Sequence, residues 1–289
     1  MKDLKQITVI GLGLLGGSIT LAVKRGFPGV KTVGFTHRPA TRQKARELAI
    51  ANEITDDMAQ AVSSADLVIL ATPISTFEET FIQIADFLPA GCIVTDVGST
   101  KTLPHQWASK NLPKNVHYVG SHPIAGSEQR GVEFSRDDLF EQALCVLTTT
   151  KKINRETVDI LEKFWSSLGC IVKYMTPSEH DRIFASISHL PHIAAAALVN
   201  AANPKYLEFA GKGFVDTSRI ASGPSNIWAD ILMTNAVNCT KSIDRLIMEL
   251  EKLKEAINSD GNKIENLLEK AREKRNAMIN YKMKKKELM

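Results

Sequence analysis

The fold of this 289-residue chain is decided near its N-terminus by the stretch Ile7-Thr8-Val9-Ile10-Gly11-Leu12-Gly13-Leu14-Leu15-Gly16. The apolar, mostly β-branched run predicts a buried strand, and residues 18–24 after the glycines have the spacing of a helix. A G-x-G-x-x-G pattern is weak by itself, but between a strand and a helix it is typical of a dinucleotide-binding βαβ unit. There Gly11 makes the tight turn, Gly13 lets the backbone approach a pyrophosphate, and Gly16 allows close packing of helix on strand. The alternative is a structural glycine-rich turn.

Short apolar runs alternate with longer amphipathic runs from residue 7 to about residue 175. This alternation favours βαβ units, so we predict a Rossmann-type α/β domain with a mainly parallel sheet over residues 1–176. Helices are expected at Thr41–Ala51 and Asn154–Leu168. The candidate strands are Ile7–Ile10, Thr32–Phe35, Leu67–Ala71, Ile93–Asp96, Tyr118–Gly120, Cys145–Thr148 and Ile171–Tyr174.

The pattern changes after Thr176-Pro177, where strand-like runs end and long helical stretches begin. Thr176 is a suitable cap and Pro177 suits the first turn of a helix, so we place a boundary near residue 176. The second domain, residues 177–289, is expected to be all-helical and to dimerise through its apolar stripes, giving a homodimer. Its helices are expected at Ser178–Ala202, Ile227–Ile257 and Asn262–Lys286, with a break at Asp260-Gly261-Asn262.

Composition places the chain among ordinary folded proteins. Hydrophobic residues make up 44% and charged residues 24%, which excludes a disordered or collagen-like chain. The net charge of +4 is too small to indicate a nucleic-acid partner. We see no apolar run of the ~18 residues that a membrane span needs, and no signal peptide, so we expect no membrane partner and a cytoplasmic protein. The cysteines Cys92, Cys145, Cys170 and Cys239 lack the paired spacing of zinc or redox sites.

The residues after the second strand bear on the choice of cofactor. An NAD enzyme usually carries Asp or Glu there for the ribose hydroxyls, but this chain has Thr36, with Arg38 and Arg42 just beyond it. Forked, charged guanidinium groups suit a 2′-phosphate. The sequence therefore favours NADP and leaves NAD open, since both arginines could simply be solvated.

Two polar segments follow later strands, Asp96–Lys101 and Gly120–Glu128. Ligands of open α/β sheets bind at the carboxyl ends of strands, so we expect both segments near the substrate. His122 is expected on a loop, where an imidazole acts as a base near neutral pH. The alternative is a surface histidine without a role.

Two further segments lie in the helical half. Ser188–His192 contains Pro191 inside an apolar helical run, which costs about 3 kcal/mol unless the helix bends, and two histidines flank this proline. Arg219 stands among small residues and suits a carboxylate clamp. The alternative for Arg219 is a structural ion pair with Asp216 or another acid.

Taken together, in this order and spacing, these motifs resemble the prephenate and arogenate dehydrogenases of tyrosine biosynthesis over nearly the whole chain. The resemblance implies NAD(P)-dependent oxidative decarboxylation of prephenate to 4-hydroxyphenylpyruvate or, as the alternative, of arogenate to tyrosine, with no metal. His192 could donate to a pyruvyl carboxylate, which favours prephenate.

The resemblance also implies roles for single residues. His122 matches the catalytic histidine, Ser99 matches a serine that orients it, and Arg219 matches the arginine that binds the ring carboxylate. His192 matches a second substrate-side histidine, while Glu128 and Asp216 match acids at the pocket entrance and Trp228 an aromatic near the dimer-side wall. The expected cofactor-binding residues are Gly11, Leu12, Gly13, Leu14, Leu15, Gly16, Thr36, His37, Arg38, Thr41, Thr72, Pro73 and Ser99.

Two other classes remain open from the sequence. One is a different two-domain oxidoreductase, such as a β-hydroxyacid dehydrogenase or an imine reductase, although those usually place a lysine or a different loop in the helical half. The other is a cofactor-sensing module without catalysis. Reduction of NADP in the presence of prephenate or arogenate distinguishes them.

Overall fold

The computed structural model describes residues 4–125, 129–150 and 153–284. The chain forms two compact units, Met1–Ala236 and Val237–Met289. The boundary near residue 176 stays a prediction of the sequence.

The first unit is organised around a six-stranded parallel sheet, as the sequence predicts. Its strand order is β3-β2-β1-β4-β5-β6, so the direction of winding reverses between β1 and β4. In a doubly wound sheet this reversal opens a crevice for a ligand at the carboxyl ends of the strands. The strands are β1 (Gln6–Ile10), β2 (Lys31–Phe35), β3 (Glu53–Thr55), β4 (Leu67–Leu70), β5 (Ile93–Asp96) and β6 (His117–Tyr118).

A second sheet of three strands continues the chain: β7 (Gly120–Ile124), β8 (Leu144–Thr148) and β9 (Ile171–Met175). β7 runs antiparallel to β8, and β8 runs parallel to β9. The predicted single strand Tyr118–Gly120 is wrong, because the chain passes from β6 through Val119 directly into β7. His122 therefore lies within strand β7, whereas the sequence analysis expects it on a loop; that expectation is wrong. Pro123, which cannot donate to a ladder, is tolerated because β7 is an edge strand of this sheet.

Helices cover both faces of the parallel sheet. Along β4, Leu67 and Ile69 belong to one buried apolar cluster, while Val68 and Leu70 belong to another. This alternation is expected of a strand that is buried on both faces. The helices of this part are α1 (Leu14–Gly26), α2 (Pro39–Glu47), α3 (Met58–Val62), α4 (Phe77–Ile84), α5 (Thr102–Asn111) and α6 (Arg155–Ser167).

The remaining helices of the first unit begin at Pro177. Thr176 caps the first one in a capping box, as predicted: its hydroxyl accepts from the Glu179 N–H at 3.3 Å, and the Glu179 carboxylate accepts from the Thr176 N–H at 2.9 Å. These helices are α7 (Pro177–Phe184), α8 (Leu190–Ala201), α9 (Lys212–Ser218) and α10 (Ser225–Thr234).

A single π-helical turn, Ala185–His189, joins α7 to α8. Pro191 follows it in the first turn of α8, where its missing N–H leaves few bonds unmade. The wider turn thus accommodates the proline that the sequence predicts to bend this helix. Such turns are frequent at functional sites.

The expectation that no stretch is long and apolar enough to span a membrane is wrong: within the described residues, Pro177–Ala201 is long and apolar enough by length and composition alone. One such helix is weak evidence of a span. Asp181 near its start accepts backbone N–H bonds from the first unit's α5, so this stretch is part of the folded unit.

The predicted helix Ile227–Ile257 is interrupted at Asn235. Its amide Nδ2 donates to the Asp181 carbonyl at 2.7 Å, a tertiary bond that no local pattern reveals. Helix α11 (Ala236–Ile257) follows, and from Val237 onward it forms the second unit together with α12 (Gly261–Lys284). The two helices are separated at residues 258–260, so the predicted break overlaps the observed one only at Asp260, and its other two residues begin α12.

Candidate active site

The glycine turn after β1 leaves room for a ligand. Gly11 has φ of +103°, a conformation that favours glycine. A Cβ on Gly16 would lie 1.9 Å from the Gly11 carbonyl oxygen, so no larger residue fits there without moving the turn. A Cβ on Gly13 would meet nothing within 4 Å, and Gly13 precedes α1, whose first N–H groups attract anions. The turn therefore fits a dinucleotide pyrophosphate.

The loop after β4 lies against this turn. The Thr72 methyl group would be 2.8 Å from a Cβ on Gly11, and the Thr72 hydroxyl is hydrogen-bonded to Thr76 at 2.8 Å. Pro73 is exposed at the start of a short helical turn. The structure thus brings Gly11 and Thr72 together across the crevice between β1 and β4.

The two arginines after β2 differ in how freely their side chains could contact a cofactor. Arg42 donates to the carbonyl oxygens of Thr36 and His37 at 3.1 and 3.0 Å and forms an ion pair with Asp56 at 2.8 Å. Arg42 therefore holds the loop together, while the Arg38 side chain is exposed. Thr41 lies on α2 and is partly buried.

The Asp96–Lys101 segment is held by a fully buried ion pair. Lys101 Nζ bonds the Asp96 carboxylate and donates to the Gly98 carbonyl at 2.7 Å. The Tyr118 hydroxyl donates to the other Asp96 oxygen at 2.6 Å. Burial, and then the nearby Asp96 carboxylate, raise the pKa of Tyr118 well above its usual value, which keeps this donor protonated. Ser99, which is partly buried, lies within this hydrogen-bonded segment.

β7 is fixed in position beside that loop. The Ser121 hydroxyl is hydrogen-bonded to Thr95 of β5 at 2.6 Å and accepts from Trp165 Nε1 at 3.0 Å. His122 is the next residue along the strand, so its side chain points to the opposite face.

His122 belongs to a buried chain of hydrogen bonds. Its Nδ1 is 2.8 Å from His180 Nε2, and His180 Nδ1 is 2.9 Å from an Asp181 carboxylate oxygen. The Phe184 ring packs on both imidazoles. Among the described hydrogen bonds there is none between Ser99 and His122, so the orienting contact to the ring comes from His180.

The surroundings keep His122 neutral. Burial lowers its pKa well below the usual 6.5, and His180 and Lys101 lower it further. Burial likewise lowers the pKa of His180, against the opposing effect of Asp181. For Asp181, burial acts to raise the pKa, but hydrogen bonds from His180 and Thr102 hold it below its usual value. The cluster is therefore a carboxylate beside neutral imidazoles at neutral pH.

Three aromatic rings extend the site toward α8 and α10. His192 stacks on Trp228 with ring centroids 3.6 Å apart, and His189 meets the same indole edge-on at 6.3 Å. His192 Nδ1 is buried without a hydrogen-bond partner within the described residues. An unsatisfied buried nitrogen of this kind is what a polar ligand group would pair with.

Helix α10 is tied to the loops at the carboxyl edge of the parallel sheet. Asp230 accepts from the Ser75 hydroxyl at 2.5 Å, and Thr234 is hydrogen-bonded to Thr100 at 2.9 Å. These bonds place the Trp228 helix next to the loops that follow β4 and β5.

Two other predicted substrate residues, Asp216 and Arg219, lie in the segment between α8 and α10. Arg219 begins a short helical turn, Arg219–Ser222, that packs against α8. Arg219 and Asp216 are both exposed. Glu128 lies outside the described residues. Convergence of Arg219 with His122 stays a prediction.

His180 and Asp181 were not singled out from the sequence. The available signal was a His-Asp dipeptide in the second turn of a helix with a strong capping box. Lys101 belongs to the Asp96–Lys101 segment, but the sequence does not predict that its side chain is buried.

A turn that fits a pyrophosphate at the reversal point of a parallel sheet, with a buried neutral imidazole on the neighbouring strand β7, is typical of a nicotinamide-dinucleotide oxidoreductase. The comparisons with known proteins give the family. Residues 19–174 match the family model described as prephenate dehydrogenase, nucleotide-binding domain, and residues 176–273 match prephenate dehydrogenase, dimerization domain. The chain belongs to the prephenate dehydrogenase family.

Individual relatives agree with this assignment. A prephenate dehydrogenase of Bacillus subtilis is 35% identical over 264 residues, covering 88% of this chain and 70% of that protein. The crystal structure of the Aquifex aeolicus prephenate dehydrogenase in complex with hydroxyphenyl propionate and NAD⁺ superposes with a TM-score of 0.88 at 32% identity, covering 95% of this chain and 98% of that one. The Synechocystis arogenate dehydrogenase superposes with a TM-score of 0.82 at 29% identity, covering 94% and 99%.

Proposed function

We propose that this protein catalyses the NADP-dependent oxidative decarboxylation of prephenate to 4-hydroxyphenylpyruvate. The observation that carries the proposal is the buried, neutral His122, whose Nδ1 is engaged by His180. Its other ring nitrogen, Nε2, is then available as a base. The match to the prephenate dehydrogenase family, the glycine turn Gly11–Gly16 that fits a dinucleotide, and the base His122 together support this reaction.

The chemistry needs few protein groups. The bound nicotinamide supplies the hydride acceptor. His122 takes the proton of the ring hydroxyl as that carbon is oxidised, and the resulting dienone loses carbon dioxide to become aromatic. Arg219 and His192 bind the two carboxylates, and Ser99 contacts the ring hydroxyl. Glu128 and Asp216 are assigned to the pocket entrance.

NADP is proposed over NAD because no acid stands at Thr36 and the exposed Arg38 is suited to a 2′-phosphate. Arg42 is assigned to holding the loop, since its guanidinium already bonds two carbonyls and Asp56. We expect Arg38→Ala to raise the KM for NADP about tenfold, with little effect on the KM for NAD. An equal effect on both cofactors would contradict this role.

Arogenate is the second candidate substrate, because the solved relative from Synechocystis is an arogenate dehydrogenase. The test is a two-by-two assay of the purified chain, prephenate or arogenate against NAD or NADP, read as absorbance of the reduced cofactor. Activity with arogenate alone would overturn the proposed substrate, and no activity in any arm would overturn the function.

His122→Asn tests the base directly. A positioned base contributes about 10²–10⁴-fold, so kcat should fall by that factor while cofactor affinity is nearly unchanged. Arg219→Ala should mainly raise the KM for substrate, because it removes a charge-assisted hydrogen bond that contributes ~1.5–3 kcal/mol to substrate binding. Full turnover of His122→Asn would show that His122 is not the base.

We further propose a cytoplasmic homodimer in which residues 177–289 bind substrate and form the interface. The match to the family's dimerization domain supports this, as do the exposed apolar side chains Leu250 and Leu268 on α11 and α12. Within the described residues no disulfide joins any of the four cysteines, all of which are buried, and this suits a reducing compartment. Sedimentation of the purified chain tests the dimer, and a monomer would contradict it.

A further inference from the structure

We propose that His180 is a positioning residue that, together with Asp181, sets the protonation pattern of His122. The inference deepens the proposed function, because it rests on His122 being the base of the reaction. It concerns a pair of side chains on α7, whereas His122 lies on β7.

The direction of each hydrogen bond follows from the carboxylate. An ionised Asp181 can only accept, so the 2.9 Å contact requires a proton on His180 Nδ1. A neutral His180 then has an unprotonated Nε2, which must accept at 2.8 Å from a proton on His122 Nδ1. His122 is consequently held as the tautomer whose Nε2 is unprotonated. A neutral imidazole that takes a substrate proton at Nε2 needs this arrangement.

Asp181 is itself held in place from the other side. Its two oxygens accept from the backbone N–H groups of Lys101 and Thr102, at 2.7 and 2.8 Å, at the beginning of α5. One carboxylate therefore caps the helix that follows the Asp96–Lys101 segment and also fixes the histidine pair. The Asn235 amide, which donates to the Asp181 carbonyl, also lies 3.2 Å from His189 Nδ1.

His180 and Asp181 also stabilise His122 after it has taken the substrate proton. His122 then carries protons on both nitrogens, and the Nδ1 proton is shared with His180 Nε2. The His180 Nδ1 proton is hydrogen-bonded to the Asp181 carboxylate in turn. The negative charge of Asp181 therefore compensates the positive charge of the His122 imidazolium, and no further proton has to enter or leave the cluster. The titratable and charged groups that act on this chain are Lys101 from the β5–α5 segment, Asp96 at the end of β5, His105 from α5, and His189 from the π turn. Phe184 covers both rings.

Two substitutions separate positioning from packing. His180→Leu removes the acceptor for His122 Nδ1 but keeps an apolar side chain in the site. His180→Gln keeps an amide oxygen near the position of Nε2, so it can still accept. We expect kcat to fall about 10- to 100-fold in His180→Leu, with KM for NADP unchanged, and to remain within about fivefold of wild type in His180→Gln.

The tautomer is read independently of activity, from the ¹⁵N chemical shifts of the histidines in labelled protein at pH 7.5, with His122→Asn used to assign the signal. We expect His122 to be protonated at Nδ1 in the wild-type protein and to become a mixture of tautomers in His180→Leu. His117→Gln, on β6, is the matched control and should change neither kcat nor the signal.

Three results would overturn the proposal: a wild-type His122 protonated at Nε2, a His180→Leu variant within twofold of wild-type kcat, or a His180→Gln variant no better than His180→Leu. The first needs no variant of α7 to fold. If the chain turns over neither prephenate nor arogenate, the proposed function fails, while the tautomer measurement still decides the role of His180.

Discussion

Removing one partner of the buried ion pair between Lys101 and Asp96 should strongly destabilise the first unit, because the other charge would stay buried without its partner. Both side chains are fully buried. Lys101→Met keeps most of the length of the side chain but leaves the Asp96 carboxylate with the Tyr118 hydroxyl and the Gly98 N–H as donors. Removing one partner of a buried pair costs about 3–5 kcal/mol, and the two remaining donors place this case near 3 kcal/mol.

The chain offers a matched control on its surface. Lys110 pairs with Glu78 at 2.9 Å, but the side chains are 71% and 36% exposed. Lys110→Met should therefore change the free energy of unfolding by about 0–1 kcal/mol. Urea unfolding of the full chain, followed by tryptophan fluorescence, measures both variants under identical conditions.

A third variant tests the cause. If the unpaired charge is responsible, adding Asp96→Asn to Lys101→Met should restore part of the lost stability, since removing both charges costs less than removing one. The reasoning is refuted if Lys101→Met and Lys110→Met unfold within about 1 kcal/mol of each other.

Three further expectations concern other parts of the molecule. Burial is the main reason that the pKa of His105 is lowered to about 4, so between pH 4 and 6.5 the unfolded chain binds more protons than the folded chain. The free energy of unfolding should therefore fall as the pH drops through that window. Urea unfolding at several pH values should show a smaller loss in His105→Gln than in the wild-type protein. Gly13→Ala should leave the thermal midpoint of the free protein as in Gly29→Ala, because neither Cβ meets an atom within 4 Å, yet weaken NADP binding about tenfold by calorimetry; equal affinities in the two variants would remove Gly13 from the cradle. Thr176→Ala should cost about 1 kcal/mol through loss of the capping box with Glu179, measured by urea unfolding, and no change would mean the cap is dispensable.

Much of the sheet could be predicted because it depends on local patterns. β5 begins and ends as predicted, and β1, β2, β4, β8 and β9 differ from their predicted bounds by one residue at an end. Short β3 was missed, since three residues carry little periodicity. The path through Val119 into β7 was also missed, because pairing with β8 is a long-range choice that a proline and a polar residue disguise.

The candidate site divides in the same way. The glycine turn, Ser99, His122 and His192 could be singled out because residue type and place after a strand or in a kinked helix are visible in sequence. The His180–Asp181 pair could not, because its meaning comes from His122 lying 58 positions away.

The sequence by itself determined the Rossmann architecture, the glycine turn and the family, since these depend on periodicity, glycine spacing and motif order along the chain. The tertiary structure alone decided which nitrogen of His122 is engaged, that Lys101 is buried on Asp96, and that Arg42 serves its own loop. The physical reason is that hydrogen-bond direction and desolvation depend on groups that meet in space from distant parts of the chain.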